Sequence, residues 1–201
     1  MFKRKSSVKR LLVSNIGVAV IIAFVFMCAF SPFDLSFLNI GPAMKGNTGG
    51  NNVALQLSVD EDSDVLRYIE VLKEAGATAT FFFPEHVYLS NGAIIKYVID
   101  SGNGAGYYVS GGSGRLSFYL GGGVSIPVMS YISGSGARQV CPSIDLPNLN
   151  RRNEWERVLK ENLAGDMFIN ADADNDYEGL KKIVQIIRDK GYTIMKMDQM
   201  L

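Results

Sequence analysis

Residues 11–29 read LLVSNIGVAVIIAFVFMCA, nineteen consecutive positions without a formal charge. At about 1.5 Å per helical residue, that run nearly matches a hydrocarbon layer about 30 Å thick. A chain carrying it either crosses a membrane or sheds the run on export. Lys3, Arg4, Lys5, Lys9 and Arg10 precede it, and on its other side Asp34 is the one charge before Lys45. Basic residues stay on the cytoplasmic side, so the N-terminus is expected in the cytoplasm and the body outside. No small-x-small pattern follows the run, and Met27 stands where a small residue must precede a lipidated cysteine at Cys28. The expectation is therefore an uncleaved anchor rather than a removed signal peptide.

Four segments follow from this. Residues 1–10 are a basic cytoplasmic segment and residues 11–30 a transmembrane signal anchor. Residues 31–52 are a linker, marked by Pro32, Gly41, Pro42, Gly46, Gly49 and Gly50, whose composition resists helix and sheet. Residues 53–201 are long enough for one globular domain. Five of the 20 basic residues lie in the first ten positions, leaving 15 against 20 acidic residues in the rest. A mildly acidic body does not recruit nucleic acid, whose phosphates need basic patches. Cys28 and Cys141 give no disulfide framework.

Within the domain, residues 53–57 (VALQL) form a short apolar run, and residues 62–75 carry Val65, Leu66, Ile69 and Leu72 at helical spacing before Gly76. Residues 78–83 (TATFFF) predict a second strand, and Ser90 predicts the cap of a helix carrying Ile94, Ile95, Val98 and Ile99. Residues 102–136 hold 11 of the 21 glycines, leaving room only for short strands such as 124–131 among turns. Residues 150–163 and 177–190 predict helices, and 167–170 and 192–197 predict strands. Strands alternating with helices imply an α/β fold with a mainly parallel sheet, in which the loops after the strand C-termini hold the chemistry.

The stretch VALQLSVDEDSDVLRYIEVLKEAGATATFFF resembles the opening of the polysaccharide deacetylase (NodB-homology) family, where a strand ends in two aspartates and a helix leads to ATFF. The stretch GDMFINADADNDYEGLKKIVQIIRDKGYTIMKMDQML resembles that family's closing strand, helix and strand. The resemblance implies a distorted (β/α) barrel of NodB type. It is expected to be shortened, because about 150 residues fall below the 200 or more of a complete eight-unit barrel. Members of the family remove acetyl groups from N-acetylated sugars with a divalent metal, an aspartate base and a histidine acid.

Aligned through VALQL, the base aspartate falls on Ser58 and the metal-binding aspartate on Val59. The metal-binding histidines fall on Tyr108 and Gly112, and the acid histidine on Ala171, before a retained Asp172. The arginine-proline-tyrosine-glycine motif has no counterpart around residues 117–121. An unaided hydroxyl has the wrong pKa for a base, and an isopropyl group has no lone pair for a metal. His86 is the chain's single histidine and stands outside every motif, so neither a family metal site nor any other cofactor is expected.

Asp60, Glu61, Asp62 and Asp64 follow the first strand, and Asp172, Asp174 and Asp176 the penultimate one. Both groups precede helices, where capping and the dipole, worth about 0.3–1 kcal/mol each, are the commoner use of such residues. Spacing of the second group is similar to a calcium loop, but Tyr177 replaces its glycine and Ile183 its terminal glutamate. A loop histidine such as His86 is more often satisfied by solvent than catalytic. Tyr107, Tyr108, Phe118 and Tyr119 could stack on sugar rings, although aromatic groups more often serve burial. Asp60, Asp62, Asp172, Asp174 and Tyr108 are the candidate ligand-binding residues.

The expectation is a catalytically inactive, deacetylase-like domain on the outer face of a bacterial cell membrane, binding cell-wall glycan or an envelope protein. The enzyme alternative is a divergent deacetylase or hydrolase of carbon-nitrogen bonds, with a carboxylate-based metal site built from Asp60, Asp62 or Asp172.

Overall fold

A computed structural model of the chain describes residues 42–111, 114–115, 117–120, 124–127, 129–133, 136–146, 152–174 and 176–201. The expected cytoplasmic segment and anchor, residues 1–30, lie outside the described residues. Among those described, no helix is long and apolar enough to cross a membrane.

In chain order the elements are β1 (Asn52–Ser58), α1 (Val65–Glu74), β2 (Thr80–Pro84), α2 (Glu85–Ser90), α3 (Gly92–Asp100) and β3 (Gly104–Tyr108). Two hairpins follow: β4 (Ser110–Gly111) with β5 (Gly114–Arg115), and β6 (Ser117–Leu120) with β7 (Val124–Pro127). Then come β8 (Met129–Ser133), β9 (Gly136–Val140), β10 (Ile144–Asp145), α4 (Arg152–Asn162), β11 (Met167–Asp172), α5 (Tyr177–Asp189) and β12 (Thr193–Ile194).

The main sheet runs β10-β11-β1-β2-β3-β8-β9. Its first five strands are parallel, as the alternation of strand and helix predicts, and β8 and β9 are antiparallel additions. One edge of β1 pairs with β11 along residues 53–58. Its pairings with β12 at Asn52 and Val53, and with β2 from Gln56 to Ser58, fall at opposite ends of the strand. β9 leads through residues 141–143 into β10, so the chain itself links the two ends of the sheet. Ala43 adds a bridge there, its amide on Gln139 O and its carbonyl accepting from Cys141 N, both at 2.8 Å.

Strand alternation divides the core in two. Val53, Leu55 and Leu57 of β1 pack with Ile69 and Leu72 of α1, Trp155 and Leu159 of α4, and Leu180, Ile183 and Ile187 of α5. The opposite, inner face holds Ala54, Phe82, Phe168 and Val140, with Ala43, Met197 and Met200 packed on them. Burying large side chains of this kind contributes about 1.5–3 kcal/mol each.

Local signals set most boundaries. Asp64 accepts from Arg67 N at 3.1 Å, so α1 starts at Val65 rather than at Asp62, and Gly76 at φ 61° ends the unit. Asp176 caps α5 through Gly179 N at 2.8 Å. Asn91, not Ser90, caps α3, because residues 85–90 form a helical turn of their own. The glycine-rich stretch holds short strands, as expected, but one of them, β3, runs in the middle of the main sheet. A Cβ at Gly104 would meet Thr80 Oγ1 at 2.8 Å, and one at Gly106 would meet Ser130 O at 2.5 Å. These glycines answer crowding by neighbouring strands, not a turn.

The compact unit runs from Gly41 to Leu201. Residues 46–51 form neither helix nor strand, in keeping with their composition, yet the segment is docked. Gly46 N donates to Asp166 O at 2.7 Å and Asn47 N to Met200 O at 2.9 Å. The Asp166 carboxylate accepts from the Thr48 hydroxyl, Thr48 N and Gly49 N. Those bonds, the hydroxyl's first, hold its pKa below the ordinary carboxylate value. Asp166 itself sits at φ 60°, a left-handed conformation that aspartate and asparagine tolerate better than most side chains with a Cβ.

Candidate functional site

The C-terminal ends of the parallel strands bring residues of the β1–α1 and β11–α5 loops together. Ser58 and Asp172 are register partners at the ends of β1 and β11, and Ala173 N donates to Ser58 O at 2.8 Å. Ser63 Oγ donates to Ala173 O and accepts from Asp60 N, both at 2.9 Å, which ties the two loops directly. Both acidic groups therefore follow strands that end side by side at one end of the sheet.

Of the candidate residues, Tyr108 and Asp60 touch. Tyr108, only 4% exposed, places its hydroxyl 3.0 Å from Asp60 Oδ1 and 3.1 Å from Val59 O. Its proton is donated toward these two acceptors, tying β3 to the start of the β1–α1 loop. Tyr107 points to the other side, its ring 5.6 Å from that of Tyr88 in α2. The side chains of Phe118 and Tyr119 lie outside the described residues. Asp172 and Asp174 are half-buried, with Asp174 N on Asp172 O at 3.1 Å, and Asp62 is exposed on the loop. The capping role falls to Asp64 and Asp176.

His86 is nearer to this rim than its sequence position suggests. Its Nε2 lies 2.5 Å from Glu61 Oε1, joining α2 to the β1–α1 loop with both side chains two-thirds exposed. Ala171 stands where the alignment puts the acid histidine. It is fully buried in the helix-side core, and the inner-facing residues of β11 are Phe168, Asn170 and Asp172.

The composition signals missed a polar row on the inner face. Asp145, Asn170, Gln56 and Thr80 are successive register partners across β10, β11, β1 and β2. Asn170, fully buried, donates from Nδ2 to Asp145 Oδ1 at 2.6 Å and accepts from Ser58 Oγ at 2.9 Å. Gln56 is also fully buried, and among the described residues neither its Oε1 nor its Nε2 has a hydrogen-bond partner. The signal was present: Gln56 and Asn170 are the polar interruptions in otherwise apolar strands.

Similarity to solved structures locates this arrangement. The chain matches a peptidoglycan N-acetylglucosamine deacetylase bound to a hydroxamate with TM-score 0.59 at 15% identity, covering 83% of this chain and 96% of that one. It matches a family 4 carbohydrate esterase of Bacillus subtilis with TM-score 0.54 at 14% identity, covering 83% and 86%. A family 4 pseudoenzyme of Bacillus anthracis matches with TM-score 0.56 at 13% identity, covering 80% and 68%. The chain therefore has the fold of the family 4 carbohydrate esterases, the NodB-type polysaccharide deacetylases. No protein-family model and no curated protein matches it.

That fold implies a divalent metal, and the residues present do not fit one. Val59 lies in the helix-side core, and the Tyr108 hydroxyl is bonded to Val59 O and Asp60. Gly112 lies outside the described residues. Among those described, no three His, Cys, Asp or Glu side chains are gathered as metal ligands.

Proposed function

We propose that this chain is a membrane-anchored, extracytoplasmic domain built on a shortened, distorted (β/α) barrel, which binds cell-envelope glycan without deacetylating it. One observation carries the reading. Where the deacetylase alignment puts a base, a metal aspartate and a metal histidine, the chain has Ser58, Val59 and Tyr108, and the Tyr108 hydroxyl is bonded to the loop after β1. Neither a hydroxyl hydrogen-bonded to Asn170 nor a valine supplies proton abstraction or metal ligation at that place. Similarity to a pseudoenzyme and to a peptidoglycan deacetylase supports a glycan-facing role separable from catalysis.

The test is to incubate the full chain, in detergent, with purified N-acetylated peptidoglycan, with and without added zinc. Co-sedimentation with no acetate released is the expected result. Acetate release that disappears in Asp60→Asn or Asp172→Asn would instead establish the carboxylate-metal hydrolase. Resistance to carbonate extraction from membranes, with the body open to external protease in spheroplasts, tests the anchor and its orientation.

A further inference from the structure

We infer that Asn91 is a site of spontaneous covalent modification, where the side-chain amide closes onto the Gly92 nitrogen and hydrolyses to aspartate or isoaspartate. The chain has two Asn-Gly pairs, Asn91-Gly92 and Asn103-Gly104, and the fold sets them in opposite conditions. Ring closure asks three things of such a pair. The side-chain amide must be free to turn, the following N–H must have no acceptor, and the following residue must carry no side chain to crowd the ring.

Asn91 meets all three. It is exposed and stands between α2 and α3, its N donating to Val87 O at 2.9 Å to end the first helix. Its Oδ1 accepts from Ile94 N at 3.4 Å, beyond the usual range of such bonds, so the amide is lightly held. As the first residue of α3, Gly92 has no acceptor for its N–H within the helix, and among the described residues it has none outside. A Cβ on Gly92 would meet nothing within 4 Å, and its φ is not positive, so neither crowding nor backbone conformation calls for glycine there. Glycine weakens a helix relative to alanine, and its local effect at this place is to leave the N–H unhindered.

Asn103 meets only the last. It is 8% exposed, its Oδ1 accepts from Ala79 N at 3.0 Å, and Gly104 N donates to Ala79 O at 2.9 Å. One residue thus holds both reacting groups, and the ring closes only when the start of β3 has opened.

In the reaction, Gly92 N bonds to Asn91 Cγ as the bond from Cγ to Nδ2 breaks, and the Gly92 proton leaves with Nδ2 as ammonia. Water then opens the five-membered imide. Opening at Cγ gives aspartate, whose charge suits the N-terminus of α3. Opening at the main-chain carbonyl gives isoaspartate, which lengthens the backbone by one methylene between the last bond of α2 and the first of α3. The same short helix α2 carries His86, whose ring meets Glu61 of the β1–α1 loop, so the change falls one helix away from the candidate site.

The experiment holds the full chain, in detergent at mildly alkaline pH, and follows both pairs over time by peptide mass mapping, with isoaspartate counted by enzymatic methyl transfer. Asn91 is expected to react at least about tenfold faster than Asn103, which reacts only in the opened fraction. Gly92→Ala should slow Asn91 by about tenfold without lowering the melting temperature, since the methyl crowds the attacking nitrogen in a place with room for it. In urea, with the fold removed, the two pairs should react within about twofold of each other. An inert Asn91, equal rates in the folded chain, or an unchanged rate in Gly92→Ala would overturn the inference. So would the same disparity in urea, which would assign the difference to neighbouring residues and not to the fold.

Discussion

Along β1 and β11 the inner face starts on Ala54 and Phe168, packed on Met197 and Met200, and ends on Ser58 and Asp172 beside Asn170. The same two strands thus present an apolar floor at one end and a polar mouth at the other, about 13 Å apart at roughly 3.3 Å per residue. Floor residues fill space whose loss the fold feels directly. Mouth residues sit where loops begin, and can change identity without disturbing the helix-side core beneath Val53, Leu55 and Leu57. A fold can therefore outlast the chemistry at its strand ends.

The strongest way to break this contrast is to truncate one residue at each end. Phe168→Ala should cost about 3–5 kcal/mol of unfolding free energy in urea titration, because a fully buried ring leaves a cavity. Asp172→Ala should cost under about 1 kcal/mol. Equal losses would dissolve the distinction.

Gln56 lies between the two ends, and its replacement should shift stability the other way. Gln56→Met is expected to stabilise by about 1–3 kcal/mol, read in the same titration, since it removes an unsatisfied buried amide. Destabilisation would mean that the amide is satisfied in solution. A smaller effect is expected of Tyr108→Phe, about 0.5–1.5 kcal/mol, for the lost tie to Val59 O and Asp60.

The smallest effect concerns acid. The folded Asp166 has a lowered pKa, so its contribution is fully present above its unfolded value, about 3.9, and fades as pH falls through the lower folded value. Asp166→Asn should therefore flatten the stability profile below about pH 4. It should leave the mouth residues' chemical shifts unmoved, which separates the floor's docking from the mouth.

Sequence patterning made some of this plain and hid the rest. β1, α1, β11 and α5 were legible because each couples an apolar period to a cap or a stop: Asp64 and Gly76 around α1, Asp176 and Gly191 around α5. β3 was hidden because Gly104 and Gly106 read as turns, and only the positions of Thr80, Phe82 and Ser130 explain why no side chain fits. β12 shrinks to Thr193 and Ile194, since it pairs only with Asn52 and Val53 before β1 meets β2. At the mouth, Tyr108 was found through the resemblance and Asp60 through its place after the first strand. Asn170 and Asp145 needed the register, because their contact joins residues far apart in the chain. That Ala171 faces the helices, where its neighbours on either side face inward, likewise follows from strand alternation and not from the residue itself.

The docking of residues 43–49 also has a mechanical side. Tension arriving from the N-terminal direction meets the Ala43 bridge first, then the bonds of Gly46 and Asn47, then the Asp166 clasp, before it reaches β1. These ties lie in series, so the leading segment can peel away and lengthen while the parallel strands stay paired. Such a segment has the arrangement of a fuse: it lengthens before load reaches β1, whose place between β11 and β2 sets the geometry of the mouth.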